Sequence, residues 1–371
     1  MDEKTIKKKE LPAVKKSKRL LALDAARGIA VIGMYIQHFA LNEWNSFVSG
    51  NTMILFMLCS GISYSIMTQG MMERGIEQGQ LRARILARAV FIDLTGYILI
   101  MLNGPFAVVL PAYAMIFLLA LALIRCRKRT LFIISGILFL LCPPITSLGL
   151  SLFADTALLY DIAGGPLSAL AWAPVFVAGM AVGKMDFEDV GTDVHLIAAG
   201  AVILIPFKLI AVYVLPGLRE SFMGWLMQFP AYAGGISVDE YAVWPKNTWP
   251  VPWYMLLTDA PQGGSMFELL IGTGGALILL GVLCILEKKC SRLLKPFCSA
   301  GRMSLTLYAV QFVIAWILLL AGVDIWGSNS EGIMFGDILI AAAVLIASCL
   351  IGKFSNGPLE TAIRRFEQAF R

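Results

Sequence analysis

The feature that most constrains this chain is a series of apolar runs, each about 18–22 residues long, joined by short polar connections. A helix of that length rises ~30 Å at 1.5 Å per residue, the thickness of a bilayer's hydrocarbon core. About ten runs can be read, at about 23–44, 47–69, 85–102, 106–124, 131–150, 166–182, 195–215, 266–286, 303–321 and 335–351. The chain is 58% hydrophobic and 15% charged, against roughly 45–50% and about 25% in ordinary globular domains. The expected fold is therefore an all-α polytopic membrane protein with about ten transmembrane helices, multi-pass in the cell membrane.

Charge placement tests that reading. Lys4, Lys7, Lys8, Lys9, Lys15, Lys16, Lys18 and Arg19 precede the first run. Alternation from there groups Arg74, Arg82 and Arg84 on the same side as Arg125, Arg127, Lys128 and Arg129. It also adds Lys288, Lys289, Arg292, Lys295, Arg364, Arg365 and Arg371. The opposite side receives only Arg219 and Lys246. Cytoplasmic loops carry the excess of Lys and Arg, so both termini are expected in the cytosol. Adding or removing one span would destroy the pattern. The expected organisation is a basic cytosolic tail at 1–20, a transmembrane domain at 21–355 and a short cytosolic tail at 356–371. The tail at 1–20 is too long and too charged for the n-region of a cleavable signal.

The net charge of +5 requires no nucleic-acid partner, because most basic residues lie in short loops where they set topology; the expected partner is the lipid bilayer. Seven cysteines form no Cys-x-x-Cys pair, which argues against a disulfide framework or a thiolate metal site. Two histidines exclude a multi-histidine metal cluster.

Chemistry concentrates in the first run, RLLALDAARGIAVIGMYIQHFALN. Asp24, Arg27 and His38 sit inside it, and ionisable groups at membrane depth are costly unless paired or used. Arg27 and His38 are ~16 Å apart along a helix, which would place a cation near one membrane face and an imidazole near mid-bilayer. His38 suits general base work near neutral pH; its plain alternative is a satisfied, packed histidine. Asp24 and Arg27 share a face and are able to pair. Arg27 also suits bidentate phosphate binding. Arg82, Arg84 and Arg88, with Arg27 and Arg302, would make a basic mouth for a polyphosphate such as coenzyme A. The plain reading of each is topology and headgroup contact. No phosphate-cradling Gly-rich loop or dinucleotide fingerprint is present, and Gly272, Gly274 and Gly275 read as close helix packing. Asp93, Glu268, Lys208 and Gln311 are the other polar groups at depth. The longest connection, about 216–265, is rich in Trp, Tyr and Pro without obvious regular structure, which fits an interfacial lid or an acceptor cover.

The opening RLLALDAARGIAVIGMYIQHF resembles the first helix of membrane acyltransferases, namely the acyltransferase type three family and the catalytic domain of heparan-α-glucosaminide N-acetyltransferase. The type three pattern of a basic residue, ten positions and a histidine is matched by Arg27 and His38. FMLCSGISYSI, with Ser60 and Gly61, is similar to the second helix of that group. Later segments resemble the bacterial YeiB-like family: VLPAYAMIFLLALAL at 109–123, FVAGMAVGK at 176–184, GRMSLTLYAVQ at 301–311 and GPLE at 357–360. That family usually has asparagine at the position of His38. The heparan enzyme carries its histidine in the connection after the first helix, where residues 40–46 have none here.

The resemblance implies a membrane-embedded acyltransferase. Its donor substrate would be cytosolic acyl-CoA, most simply acetyl-CoA, with phosphates at Arg27, Arg82, Arg84, Arg88 and Arg302. The catalytic residues expected are His38 and Asp24, no metal is expected, and the acceptor would be an extracytoplasmic sugar, glycan or small molecule. The alternatives are a transporter or flippase using Asp93, Glu268 and His38 as ligands, and a sensor whose outer loop binds a ligand.

Overall fold

The computed structural model describes residues 19–153, 156–232, 250–323, 335–353 and 356–370. Regular structure among the described residues is entirely helical. The helices are α1 Leu21–Phe39, α2 Asn51–Glu73, α3 Gln78–Met101, α4 Leu110–Leu119, α5 Lys128–Leu152, α6 Ala157–Ala163, α7 Ala169–Val182, α8 Val190–Tyr213, α9 Leu215–Leu226 and α10 Met266–Cys290. They continue with α11 Lys295–Arg302, α12 Ser304–Leu320, α13 Gly336–Ile351 and α14 Pro358–Gln368. Four helical stretches are long and apolar enough to cross a membrane: Ser46–Glu73, Lys128–Leu152, Val190–Tyr213 and Met266–Arg302. Shorter apolar helices cover Leu110–Leu123, Ala169–Val182, Ser304–Leu320 and Gly336–Ile351. Every apolar run read from sequence coincides with a helix.

Helix α1 lies at the centre, packed by α2, α10, α11, α12 and α13. Its sequence explains why. Ala22, Ala25, Ala26, Gly28, Ala30 and Gly33 leave little side chain on the helix surface, so neighbours approach closely. The tightest crossing is with α11. A Cβ on Gly28 would overlap the Phe297 carbonyl, and one on Gly301 would overlap the Asp24 carbonyl. The same small-residue device sets α2 against α7 through Gly61 and Gly179, and α8 against α10 through Gly200 and Gly274. Of the three glycines read as packing positions in α10, Gly272 and Gly274 are in contact and Gly275 faces open space.

Two of the boundaries that differ from the sequence expectation bear on the candidate site. Helix α1 stops at Phe39, several residues before the expected end of the run. Asn42 and Asn45 end it: the Asn42 side chain accepts from the Trp44 and Asn45 amides, and Asn45 Nδ2 donates to the Ala40 carbonyl at 2.9 Å. These side-chain bonds replace helical ones, the usual reason Asn breaks a helix. Helix α3 begins earlier than expected, so Arg82, Arg84 and Arg88 all lie on it.

The connection at about 216–265 holds regular structure that was not expected, because α9 occupies its first part. Leu226, Tyr232 and Tyr254 form a small core beneath it, and the Tyr232 hydroxyl donates to the Val251 carbonyl at 2.9 Å. The expected carboxylates Asp239 and Glu240 and the aromatics Tyr241, Trp244 and Trp249 lie outside the described residues, as do the first 18 residues of the basic tail.

The C-terminal tail carries α14, which docks against α3 and α12. The GPLE segment explains the docking. Glu360 accepts from the Leu305 amide at 2.7 Å, the Thr306 amide at 3.1 Å and the Thr306 hydroxyl at 2.5 Å. It therefore caps the N-terminus of α12, where amides are unpaired and the helix dipole favours an anion. Gly357 precedes it with φ +97°, and a Cβ there would collide with the Glu360 carboxylate. Glu360→Ala is expected to destabilise the fold by about 2–3 kcal/mol, because charge-assisted bonds to these donors are lost. Thermal unfolding in detergent measures it, and an unchanged midpoint would show that the cap carries no stability.

Lys184, the last residue of FVAGMAVGK, plays a similar tying role. Its ammonium donates to the Ile124 and Cys126 carbonyls at 3.1 and 2.8 Å. Burial pulls its pKa below the ordinary lysine value.

Candidate functional site

His38 lies in the last turn of α1, at the far end of the helix from Arg19. The helix ends one residue later, where Asn42 and Asn45 take over the backbone bonds. The ring stacks on Phe106, with centroids 4.0 Å apart and planes 10° apart. Phe312 meets it edge-on at 6.2 Å and Phe39 at 6.4 Å. The ring is thus oriented by three aromatics from α1, the connection before α4, and α12. Gln311 of α12 stands beside the imidazole, next in sequence to Phe312. Yet Nδ1 of His38 and both amide atoms of Gln311 are sealed without a hydrogen bond of normal geometry. Gln311 is 0% exposed. Buried polar groups are nearly always bonded, and each exception calls for an explanation.

Arg27 stands eleven residues earlier, about three turns, so it shares a face of α1 with His38. Its guanidinium donates to Ser304 Oγ at 2.9 Å, at the start of α12. Tyr113 of α4 lies beside Ser60 of α2 and within the fields of both Arg27 and Arg88. Arg27 therefore has polar neighbours on α2, α4 and α12, while His38 is framed by Phe39, Phe106 and Phe312.

Asp24 does not pair with Arg27. It is held by Arg19, whose Nη2 lies 3.1 Å from Oδ1, and its side chain is 7% exposed while Arg19 is half-exposed. Helical spacing permitted the Arg27 pair, but Arg27 reaches across to α12 instead. Asp24 is fourteen residues from His38, ~21 Å along the axis, so the two proposed catalytic side chains stand at opposite ends of α1.

The other arginines are dispersed. Arg82 is exposed on α3. Arg84 has a sealed, unpartnered Nε. Arg88 is ion-paired with Glu367 of α14. Arg302 bends back onto its own helix, donating to the Cys298 carbonyl at 3.3 Å and Ser299 Oγ at 3.2 Å. Arg84 and Arg88 lie one turn apart on α3, and Arg88 and Arg27 converge on Tyr113. Arg82 and Arg302 point to other partners or to solvent.

The other polar groups singled out in the apolar runs differ in their surroundings. Glu268 accepts from the Gln262 amide and, at 2.8 Å, from the Gly264 amide, so it clips the loop before α10. Lys208 pairs with Asp259 at 2.6 Å. Asp93 Oδ1 is sealed without a partner. Its neighbour Asp161 accepts the Tyr97 hydroxyl at 2.9 Å.

Sequence reasoning passed over Ser304, Phe106 and Phe312, and treated Gln311 only as a polar group at depth. One signal was available. Ser304, Tyr308 and Gln311 fall at i, i+4 and i+7 on an otherwise apolar helix, which aligns three polar side chains on one face. Tyr308 uses its hydroxyl to accept from the Val109 amide at 3.0 Å, and Ser304 and Gln311 face Arg27 and His38.

No curated protein and no solved structure matches the chain. Residues 235–369 match the family model described as Protein of unknown function (DUF418), which is the YeiB-like family; this stretch contains both GRMSLTLYAVQ and GPLE, the segments that supply Ser304, Gln311 and the Glu360 cap.

Proposed function

We propose that this is a multi-pass protein of the cell membrane, with about ten spans and both termini in the cytosol, that moves an acyl group across the bilayer. The donor is cytosolic acyl-CoA, most simply acetyl-CoA, and the acceptor is an extracytoplasmic sugar, glycan or small molecule. One observation carries the reading: a single central helix presents Arg27 and His38 on the same face of an otherwise apolar bundle. Apolar bundles seldom keep such groups without use.

In this reading the polyanionic end of the donor stays on the cytosolic side, near Arg27 and Arg88, with Arg82, Arg84 and Arg302 around the mouth. The thin pantetheine arm follows that face of α1 toward His38. His38 accepts the proton of the acceptor hydroxyl or amine as oxygen or nitrogen attacks the thioester carbon. The carbon–sulfur bond breaks, and the proton returns to the departing thiolate. Asp24 holds Arg19 at the mouth and takes no part in proton transfer. Transport receives less support, because one of its proposed ligands, Glu268, is already bonded to backbone amides.

The test is acetyl transfer by purified protein in proteoliposomes, with labelled acetyl-CoA on one side and a panel of sugars on the other. Arg27→Gln is expected to raise KM for acetyl-CoA about 10–100-fold, the worth of one charge-assisted bond, with a smaller change in kcat. An unchanged KM would remove Arg27 from the donor site. Sugar flux without acetyl-CoA consumption would favour transport.

A further inference from the structure

We infer that Gln311 fixes which nitrogen of His38 carries the proton, its Oε1 accepting Nδ1–H so that the lone pair of Nε2 is left as the base. Its role as a positioning residue rests on His38 being the base of the proposed transfer; the pairing itself does not.

The geometry leads here in three steps. First, Gln311 is 0% exposed and neither amide atom has a partner, while Nδ1 of His38 is sealed in the same condition. Gln311 directly precedes Phe312, whose ring meets the imidazole with centroids 6.2 Å apart, so each side chain is the available partner of the other. Leaving both unpaired in an apolar bundle would cost several kcal/mol. Hydrogen bonds at catalytic groups are often long or poorly aligned before substrate arrives.

Second, both groups are held in place from outside the pair. The imidazole is stacked on Phe106. Helix α12 is tied to α1 by Tyr35, whose hydroxyl donates to the Leu307 carbonyl at 2.8 Å, and to the segment before α4 by Tyr308. The neighbours facing the ring are Phe39, Phe106, Phe312 and Gln311. No ionised side chain among the described residues acts on it. The amide is therefore the group that distinguishes one tautomer from the other.

Third, the two orientations of the amide have different consequences. With Nε2 of Gln311 toward the ring, Nδ1 would accept and the proton would sit on the other ring nitrogen, leaving no base. With Oε1 toward the ring, the proton sits on the sealed nitrogen and the lone pair on the side of the ring that remains partly exposed. An acceptor at one ring nitrogen sets the state of the other in this way.

The experiment needs no acyl donor. Purified wild type, Gln311→Leu and Gln311→Glu are treated with diethyl pyrocarbonate across a pH series, and peptide mass spectrometry follows each histidine separately. His195, the second of the two histidines and exposed on α8, is the internal reference. A carboxylate at 311 stabilises the imidazolium, so Gln311→Glu is expected to raise the pH of half-maximal His38 labelling by about one unit or more. Gln311→Leu is expected to lower it, and His195 is expected to be unaffected. In the transfer assay Gln311→Leu is expected to lose about 10–100-fold in kcat at constant KM for acetyl-CoA, with Gln311→Glu recovering part of it. His38 profiles identical in all three proteins would overturn the inference. Shifted profiles in proteins that transfer no acetyl group would leave the pairing standing and defeat acyl transfer instead.

Discussion

His38→Ala is expected to lower acetyl transfer about 10²–10⁴-fold, the usual contribution of a positioned general base, with little change in KM for acetyl-CoA. The imidazole sits ~16 Å along α1 from Arg27, so truncating it leaves the donor contacts in place. Packing alone would also make alanine harmful, because the ring stacks on Phe106. The companion variant His38→Asn separates the two causes. Asparagine offers Gln311 a hydrogen bond and fills part of the space, but it cannot take a proton at neutral pH. It is expected to lose activity as alanine does while unfolding at the wild-type temperature. A His38→Asn protein with wild-type kcat would show that no proton passes through this position. That outcome has particular weight here, since the resembling YeiB-like pattern usually carries asparagine at this place.

Gly301→Ala is expected to cost about 4 kcal/mol or more, at the severe end for a single substitution. A methyl group there would occupy the place of the Asp24 carbonyl. That neighbour is backbone in the first turn of α1, so relief requires α1 and α11 to separate. Separation would also pull Ser304 away from Arg27, since only Arg302 and Met303 lie between Gly301 and that contact. Gly275→Ala is the control. A Cβ on Gly275 meets nothing within 4 Å, and alanine favours the helical state by roughly 0.5–1 kcal/mol. It is therefore expected to hold or raise the unfolding temperature. Thermal unfolding in one detergent compares the two, and equal midpoints would mean that the α1–α11 crossing yields easily.

Much of the helical framework was legible because it is decided locally. An apolar run without water must satisfy its backbone within itself, and a helix does so. That reasoning placed each of the ten runs on a helix before any contact was known. Helix ends were harder, and α1 shows why. Hydropathy continues past Phe39, but Asn42 and Asn45 bond to the local backbone and stop the helix. The signal was present in the sequence and was outweighed by the length of the apolar run.

The site divides along the same line. Sequence alone determined that Arg27 and His38 stand on one face of one helix, because that follows from 3.6 residues per turn. It also marked Gly272 and Gly274 as positions for close helix packing, though not with whom. Only the tertiary structure decided that Asp24 belongs to Arg19, that Arg27 reaches Ser304, that Arg88 is held by Glu367, and that Gln311 meets His38. These partners lie up to 279 residues apart in the chain. The central helices are apolar nearly all round, so no polar–apolar stripe marks which face meets which neighbour. Helix formation is settled by bonds between residues four apart. The pairing of side chains across helices is settled by how the bundle closes, which spacing along one helix does not contain.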